Sequence, residues 1–175
     1  NSFNIQSVVR SIHDRDSEVV YPPIETKKYK YRKAQNYWLS VNRIHPYKRI
    51  EMQLKAFSKL PDEKLYIVGH ANESGYYNEL RKMKSGNVQF LGLLSEDKLL
   101  NRLSECKGFI HTPINEDFGL APVEATASGK PVIAPNEGGL KETVIEGVTG
   151  KLIDDINSDK LGEAIIEVGN HPQGY

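Results

Sequence analysis

The 175-residue sequence contains one cysteine, Cys106. That excludes an internal disulfide and a thiolate metal cluster, fits a reducing compartment, and leaves packing as the simplest use of the thiol. No apolar run approaches the ~20 residues that span a bilayer, and no basic-then-apolar leader is visible, so a soluble piece is expected. An excess of either charge is also missing. Lys plus Arg number 23 against 23 for Asp plus Glu, so the overall balance points to neither nucleic acid nor an anionic membrane, and any anion site must be local. Neither Gly-x-x-x-x-Gly-Lys-Ser/Thr nor Gly-x-Gly-x-x-Gly occurs, which argues against a nucleoside triphosphatase and an ordinary NAD-dependent dehydrogenase. His13, His45, His111 and His171 share no metal spacing with one another or with Cys106, so no bound metal is expected.

What is present is a regular alternation. Short apolar runs at Glu18–Tyr21, Tyr37–Val41, Lys64–Val68, Val88–Leu91, Gly108–His111, Pro131–Ala134 and Gly150–Ile153 read as strands. Between them, apolar residues recurring every three or four positions predict helices over Ser2–Ile12, Lys48–Leu60, Tyr76–Met83, Glu96–Ser104, Leu120–Ala127, Gly139–Ile145 and Asp159–Val168, with Ser95 and Ser158 as helix caps. This order predicts an α/β fold, a doubly wound, Rossmann-like parallel sheet covered on both faces, over residues 1–175 as one domain. The length suits a single core that buries about two-thirds of the unfolded surface. The start at Asn1-Ser2 without Met and the end at Tyr175 are those expected of a piece of a longer chain.

Chemistry concentrates in a few segments. Glu116-Asp117-Phe118-Gly119-Leu120-Ala121-Pro122-Val123-Glu124 sets two carboxylates eight positions apart around a loop-to-helix junction. Pro122 falls in the first turn, where its missing N–H costs little. The free N–H groups of that turn, with the helix dipole behind them, suit a phosphate, and the flanking Glu116 and Glu124 suit sugar hydroxyls. In Ser40-Val41-Asn42-Arg43-Ile44-His45-Pro46-Tyr47-Lys48, a strand end carries two cations able to neutralise a diphosphate without a metal, Arg43 as a planar fork and Lys48 as a mobile point charge. Tyr66-Ile67-Val68-Gly69-His70 ends another strand in a glycine, where backbone can approach a ligand closely. Taken singly, each could be solvated charge or ordinary turn chemistry. The basic stretch from Lys27 to Lys33 reads as a solvated connection.

Together these segments resemble the retaining, family-four glycosyltransferases of GT-B architecture, over nearly the whole chain from Asn1 to about Ile165. Glu116 and Glu124 match the family's glutamate-x7-glutamate motif, followed by Gly129-Lys130-Pro131-Val132-Ile133-Ala134 and Glu137-Gly138-Gly139. Arg43 and Lys48 match a strand-end Gly-Arg-Leu with Lys five positions on. Asn42 replaces the usual glycine, a departure eased by asparagine's tolerance of left-handed backbone. Asn87-Val88-Gln89-Phe90-Leu91-Gly92-Leu93 resembles the loop against which the nucleotide base packs, and Val19-Val20-Tyr21-Pro22-Pro23-Ile24 the entry into the carboxy-terminal domain.

The resemblance implies the donor-binding, carboxy-terminal half of a two-domain enzyme of polysaccharide biosynthesis. Such an enzyme moves a hexose with retention, mannose first among candidates, from a nucleoside diphosphate sugar to a glycan or lipid-linked acceptor. Arg43 and Lys48 would hold the diphosphate, Glu116 the transferred sugar and Glu124 the ribose. Phe118, Gly119 and Leu120 would make main-chain contacts, and Gly69, Leu91 and Leu93 would line the nucleotide. It further implies GDP-mannose or a UDP-hexose as donor, no metal or other cofactor, and an acceptor bound mainly by an amino-terminal domain outside this chain, without which the piece is inactive. The implied location is the cytoplasm or, for the full-length protein, the cytoplasmic membrane face. A GT-B sugar-nucleotide epimerase and a non-catalytic nucleotide-sugar-binding module remain as alternatives.

Overall fold

The computed structural model describes residues 1–70 and 75–171. Six parallel strands form one sheet: β1 (Trp38–Val41), β2 (Leu65–Val68), β3 (Val88–Gly92), β4 (Phe109–Ile110), β5 (Val132–Pro135) and β6 (Gly150–Ile153). Their order is β3-β2-β1-β4-β5-β6. The chain winds outward from β1 through β2 to β3, then returns to the other side of β1 and winds outward again. The reversal leaves a crevice beyond the carboxyl ends of β1 and β4, the place where doubly wound sheets bind ligands.

Alternation along the strands sorts the core into two layers. Trp38, Leu65, Ile67, Ile110 and Ile133 join one cluster with residues of α2 (Ile50–Ser58) and α7 (Ser158–Asn170), including Leu54, Phe57, Leu161 and Ile165. Leu39, Val68, Phe109, Val132 and Ala134 point the other way, to Leu103 of α4 (Glu96–Glu105), Ala125 of α5 (Leu120–Ala127) and Leu140 of α6 (Leu140–Thr143). Among the described residues the remaining α-helices are α1 (Phe3–His13) and α3 (Gly75–Met83). Cys106 is fully buried in the second layer, and burial pushes its thiol up to about 12, so it packs as a small apolar group.

Four local expectations need correction. Glu18–Tyr21 forms no strand. It has no partner, Pro22 and Pro23 follow without N–H donors, and Val20 and Tyr21 stay exposed. The helix expected from Lys48 starts at Ile50, because Pro46–Lys48 makes a 3₁₀ turn that a left-handed Arg49 (φ 51°) terminates. Asn157, rather than Ser158, caps α7, its side chain accepting from the N–H groups of Asp159 and Lys160. Ser95 stands at the start of α4 with extended backbone, but its hydroxyl makes no capping bond.

The amino-terminal helix is anchored at its end. Ser2 Oγ accepts from Ile5 N–H at 3.1 Å and donates to the Asp117 carbonyl at 2.5 Å. The Glu142 carboxylate accepts from Phe3 and Asn4 N–H, each at 2.9 Å, an anion on a helix N-terminus. None of the residues of α1 is buried.

Candidate active site

Where the winding reverses, a cleft of about 490 Å³ opens. Arg43, Lys48, Glu116, Phe118, Gly119 and Leu120 all line it, together with His111. Four of these come from the ends of β1 and β4, or from the loops that follow them, and the other three from the loop-to-helix junction leading into α5. Gly119 takes a left-handed backbone (φ 90°) and no side chain caps α5, so the first-turn donors keep their capacity for an anion.

At its centre lies a carboxylate with two partners. Lys48 Nζ donates to Glu116 Oε2 at 2.5 Å, and His111 Nε2 stands 3.3 Å from the same oxygen. Lys48 is carried by the 3₁₀ turn, its Nζ over the Tyr47 ring, 5.0 Å from the ring centre. These neighbours act on charge. Glu116 is held down at about 2, by His111 first and by Lys48 as well, against burial, which acts in the opposite direction. His111 is pushed below its ordinary value, chiefly by burial and also by the Lys48 charge, although Glu116 pulls it up. The ring is therefore neutral at pH 7. It is only 3 % exposed and stacked on Phe109 at 6.1 Å, and among the described residues neither nitrogen makes a hydrogen bond of ordinary geometry, the 3.3 Å approach to Glu116 being a long electrostatic contact.

A second layer fixes this arrangement. Arg49 donates through Nε to the Thr112 carbonyl at 3.0 Å and through Nη2 to the Pro113 carbonyl at 2.7 Å and Glu137 at 2.6 Å. Thr112 Oγ1 in turn donates to the Lys48 carbonyl at 2.8 Å and accepts from buried Gln53 at 2.8 Å. Arg49 thereby ties the turn carrying Lys48 to the loop carrying Glu116. From the far side, Gly139 N–H donates to the Glu116 carbonyl at 2.7 Å, and a Cβ on Gly139 would lie 2.2 Å from the Asp117 carbonyl oxygen. Only a glycine lets the two loops approach this closely.

The other expected residues lie apart. Gly69 and Leu93 line a separate hollow with Ile44, His70, Tyr77 and Phe90, and Leu91 lines another with Arg102 and Lys98. Gly69 does structural service: its N–H donates to the Gly92 carbonyl at 3.0 Å, and a Cβ there would fall 1.6 Å from the Asn42 carbonyl oxygen. Asn42 itself has no left-handed backbone. It occupies the glycine position because its side chain folds inward to Ser40 Oγ at 2.6 Å. Glu124 sits half-buried on α5 outside the cleft lining. Its carboxylate faces Tyr29, whose hydroxyl is pushed up to about 12, by burial first and then by Glu124.

Sequence reading missed His111, Arg49 and the Gln53–Thr112 link. For His111 a signal existed: it ends the strand that runs into the two-glutamate motif. Arg49 had none, since a cation beside Lys48 reads as solvated charge.

Comparison with known proteins agrees with this architecture. The chain matches the family described as Glycosyl transferases group 1 over residues 23–173. It is 36% identical over 150 residues to the alpha-1,3/1,6-mannosyltransferase alg-2 of Neurospora crassa, covering 66% of this chain and 32% of that protein. Over 153 residues it is 31% identical to the mouse GDP-Man:Man(3)GlcNAc(2)-PP-Dol alpha-1,2-mannosyltransferase, covering 74% of this chain and 31% of that one. Among solved structures, Anabaena HepE in complex with UDP and glucose superposes with a TM-score of 0.89 at 25% identity, over 99% of this chain and 53% of that one. The chain thus spans about a third of these curated relatives and half of the solved structure. With the sheet, the cleft and the match over residues 23–173 in agreement, the chain belongs to the Glycosyl transferases group 1 family and has the fold of a GT-B glycosyltransferase domain.

Proposed function

We propose that this domain holds the nucleoside diphosphate sugar of a glycosyltransferase, which transfers a hexose, mannose first, with retention to a glycan or lipid-linked acceptor. The observation that carries this reading is the Lys48–Glu116 pair at the reversal of the sheet, facing the uncapped start of α5. A nucleotide sugar presents an anionic diphosphate beside a polyhydroxylated ring. The cleft offers Lys48, Arg43 and free N–H groups for the first and Glu116 for the second. Mannose is supported by the curated mannosyltransferase relatives, one named for GDP-Man; HepE, with UDP and glucose bound, supports a UDP-hexose as the competing donor.

In this reading Arg43 and Lys48 stabilise charge growing on the departing diphosphate, and α5 adds its dipole at the same oxygens. Two cations supply this charge without a divalent ion. The leaving phosphate helps deprotonate an acceptor hydroxyl arriving on the same face of the sugar, which retains the anomeric configuration. Glu116, ionised throughout the neutral range, holds the sugar hydroxyls rather than attacking. Gly69, Leu91, Leu93 and Glu124 take the nucleoside. A second domain outside this chain supplies the acceptor, so the isolated domain binds donor without transferring it, and work on a cytoplasmic or membrane-face acceptor falls to the whole enzyme.

Calorimetric titration with GDP-mannose, UDP-glucose and UDP-N-acetylglucosamine, with and without magnesium, tests the reading. Metal-free binding of one donor is expected, weakened about tenfold or more in Arg43→Ala and Glu124→Ala, the loss of one charge-assisted contact each. Absence of binding to all three would overturn it.

A further inference from the structure

His111 is a buried polar group that the proposed donor contacts do not use. Its ring is 3 % exposed, stacked on Phe109, and aimed at the cleft with its nitrogens uncommitted. Leaving such a group unpaired is costly and calls for an explanation. Glu116 Oε2, 3.3 Å from Nε2, is the oxygen that already accepts from Lys48 at 2.5 Å. Lys48 makes the short bond to that oxygen, and the imidazole stands beside it without a formed hydrogen bond of its own.

That arrangement changes when a donor arrives. The diphosphate is a stronger anion than a single carboxylate, and the four-carbon stem of Lys48 lets its ammonium swing toward it. Glu116, part-buried at 21 % side-chain exposure, then loses its cation. Resting on the donor-site reading above, we propose that His111 is a positioning residue that takes over Glu116 Oε2 as Lys48 turns to the diphosphate, keeping the carboxylate aimed at the transferred sugar. The imidazole needs no proton from outside: the neutral ring carries one N–H, which it donates from Nε2 while Nδ1 stays unprotonated.

Titrations of this chain with GDP, UDP, GDP-mannose and UDP-glucose separate the sugar contribution from that of the diphosphate. In His111→Phe, which keeps the stack and removes the donor, the extra affinity of the nucleotide sugar over its nucleotide is expected to fall about tenfold, one hydrogen bond to a charged group. Nucleotide affinity itself stays unchanged. His111→Gln, which restores an N–H, recovers most of the loss. An unchanged sugar increment in His111→Phe overturns the proposal alone, whereas wild-type protein that binds no nucleotide overturns the donor-site reading and the proposal with it. Should His111→Phe fail to fold, the wild-type imidazole answers by NMR. Saturating nucleotide is expected to move the His111 Nε2–H proton downfield as its hydrogen bond shortens, and an unmoved resonance overturns the proposal.

Discussion

The two ends of the proposed donor site are built from different materials. At the diphosphate and sugar end, side chains do the organising: Lys48, Glu116 and His111 converge on one oxygen, and Arg49 binds their loops together. At the nucleoside end, Gly69, Leu91 and Leu93 bring only turns and apolar stems, spread over two hollows. Charge chemistry restricts residue type and so marks the sequence, whereas close backbone approach leaves nothing but a glycine. The first end should be sensitive to charge, the second to volume.

Volume at Gly69 gives the largest expected effect. A methyl there meets the Asn42 carbonyl at 1.6 Å, and the obstacle is backbone, which cannot rotate aside. Gly69→Ala is expected to destabilise the fold by on the order of 4 kcal/mol, seen as a urea midpoint shift with unchanged slope. A loss below about 1 kcal/mol would show that the β1 and β2 turns separate freely and that the nucleoside end is soft.

Next comes charge at the other end. Lys48→Ala leaves Glu116 ionised and part-buried beside a neutral histidine, at an expected cost of about 2 to 3 kcal/mol, somewhat less than for a fully buried pair because the Glu116 side chain keeps 21 % exposure. Lys48→Met with Glu116→Gln removes both charges and should cost less than Lys48→Ala alone. A double variant worse than the single one would mean that the pair stabilises the fold on balance.

Acid attacks the same end. Glu116 titrates at about 2 in the folded chain against 4.5 ordinarily. Its contribution is complete above about 4.5 and is lost as pH falls toward 2. His111, depressed by burial, refuses a proton that the unfolded chain accepts, so stability also declines as pH drops below about 6.5. Chemical denaturation of wild type at pH 7 and pH 3.5 should differ by about 2 kcal/mol more than it does for Glu116→Gln with His111→Gln.

How much of this was legible follows the same division. The strands and their parallel order could be read because two-sided burial gives short, almost uninterrupted apolar runs such as Val132–Pro135. Glu18–Tyr21 misled because its apolar residues lie on the surface, where no strand completes the ladder. In the site, Arg43, Lys48 and Glu116 were legible through the family motifs they match, since each alone reads as solvated charge, and the structure lines one cleft with all three. His111 was hidden because a histidine at a strand end reads as core. Arg49 was hidden because its work depends on a left-handed backbone that folds its guanidinium back onto Thr112 and Pro113, and no local signal announces that in a non-glycine residue.

The smallest expected effect sharpens the comparison most. Arg43 shares the cleft with Lys48 but is exposed. It escapes the desolvation that makes Lys48 depend on Glu116, so Arg43→Ala should change stability by no more than about 0.5 kcal/mol, as at other exposed positions. The same substitution is the one expected to weaken donor binding. Two cations at one anion site then divide the work by burial. Lys48 holds the unliganded cleft together and must be released before it binds, while Arg43 waits in solvent and can meet the diphosphate first. If thermal denaturation shows Arg43→Ala to be as damaging as Lys48→Ala, that division is wrong, and the charge-built end of the site is a single cooperative unit in which no cation stands free.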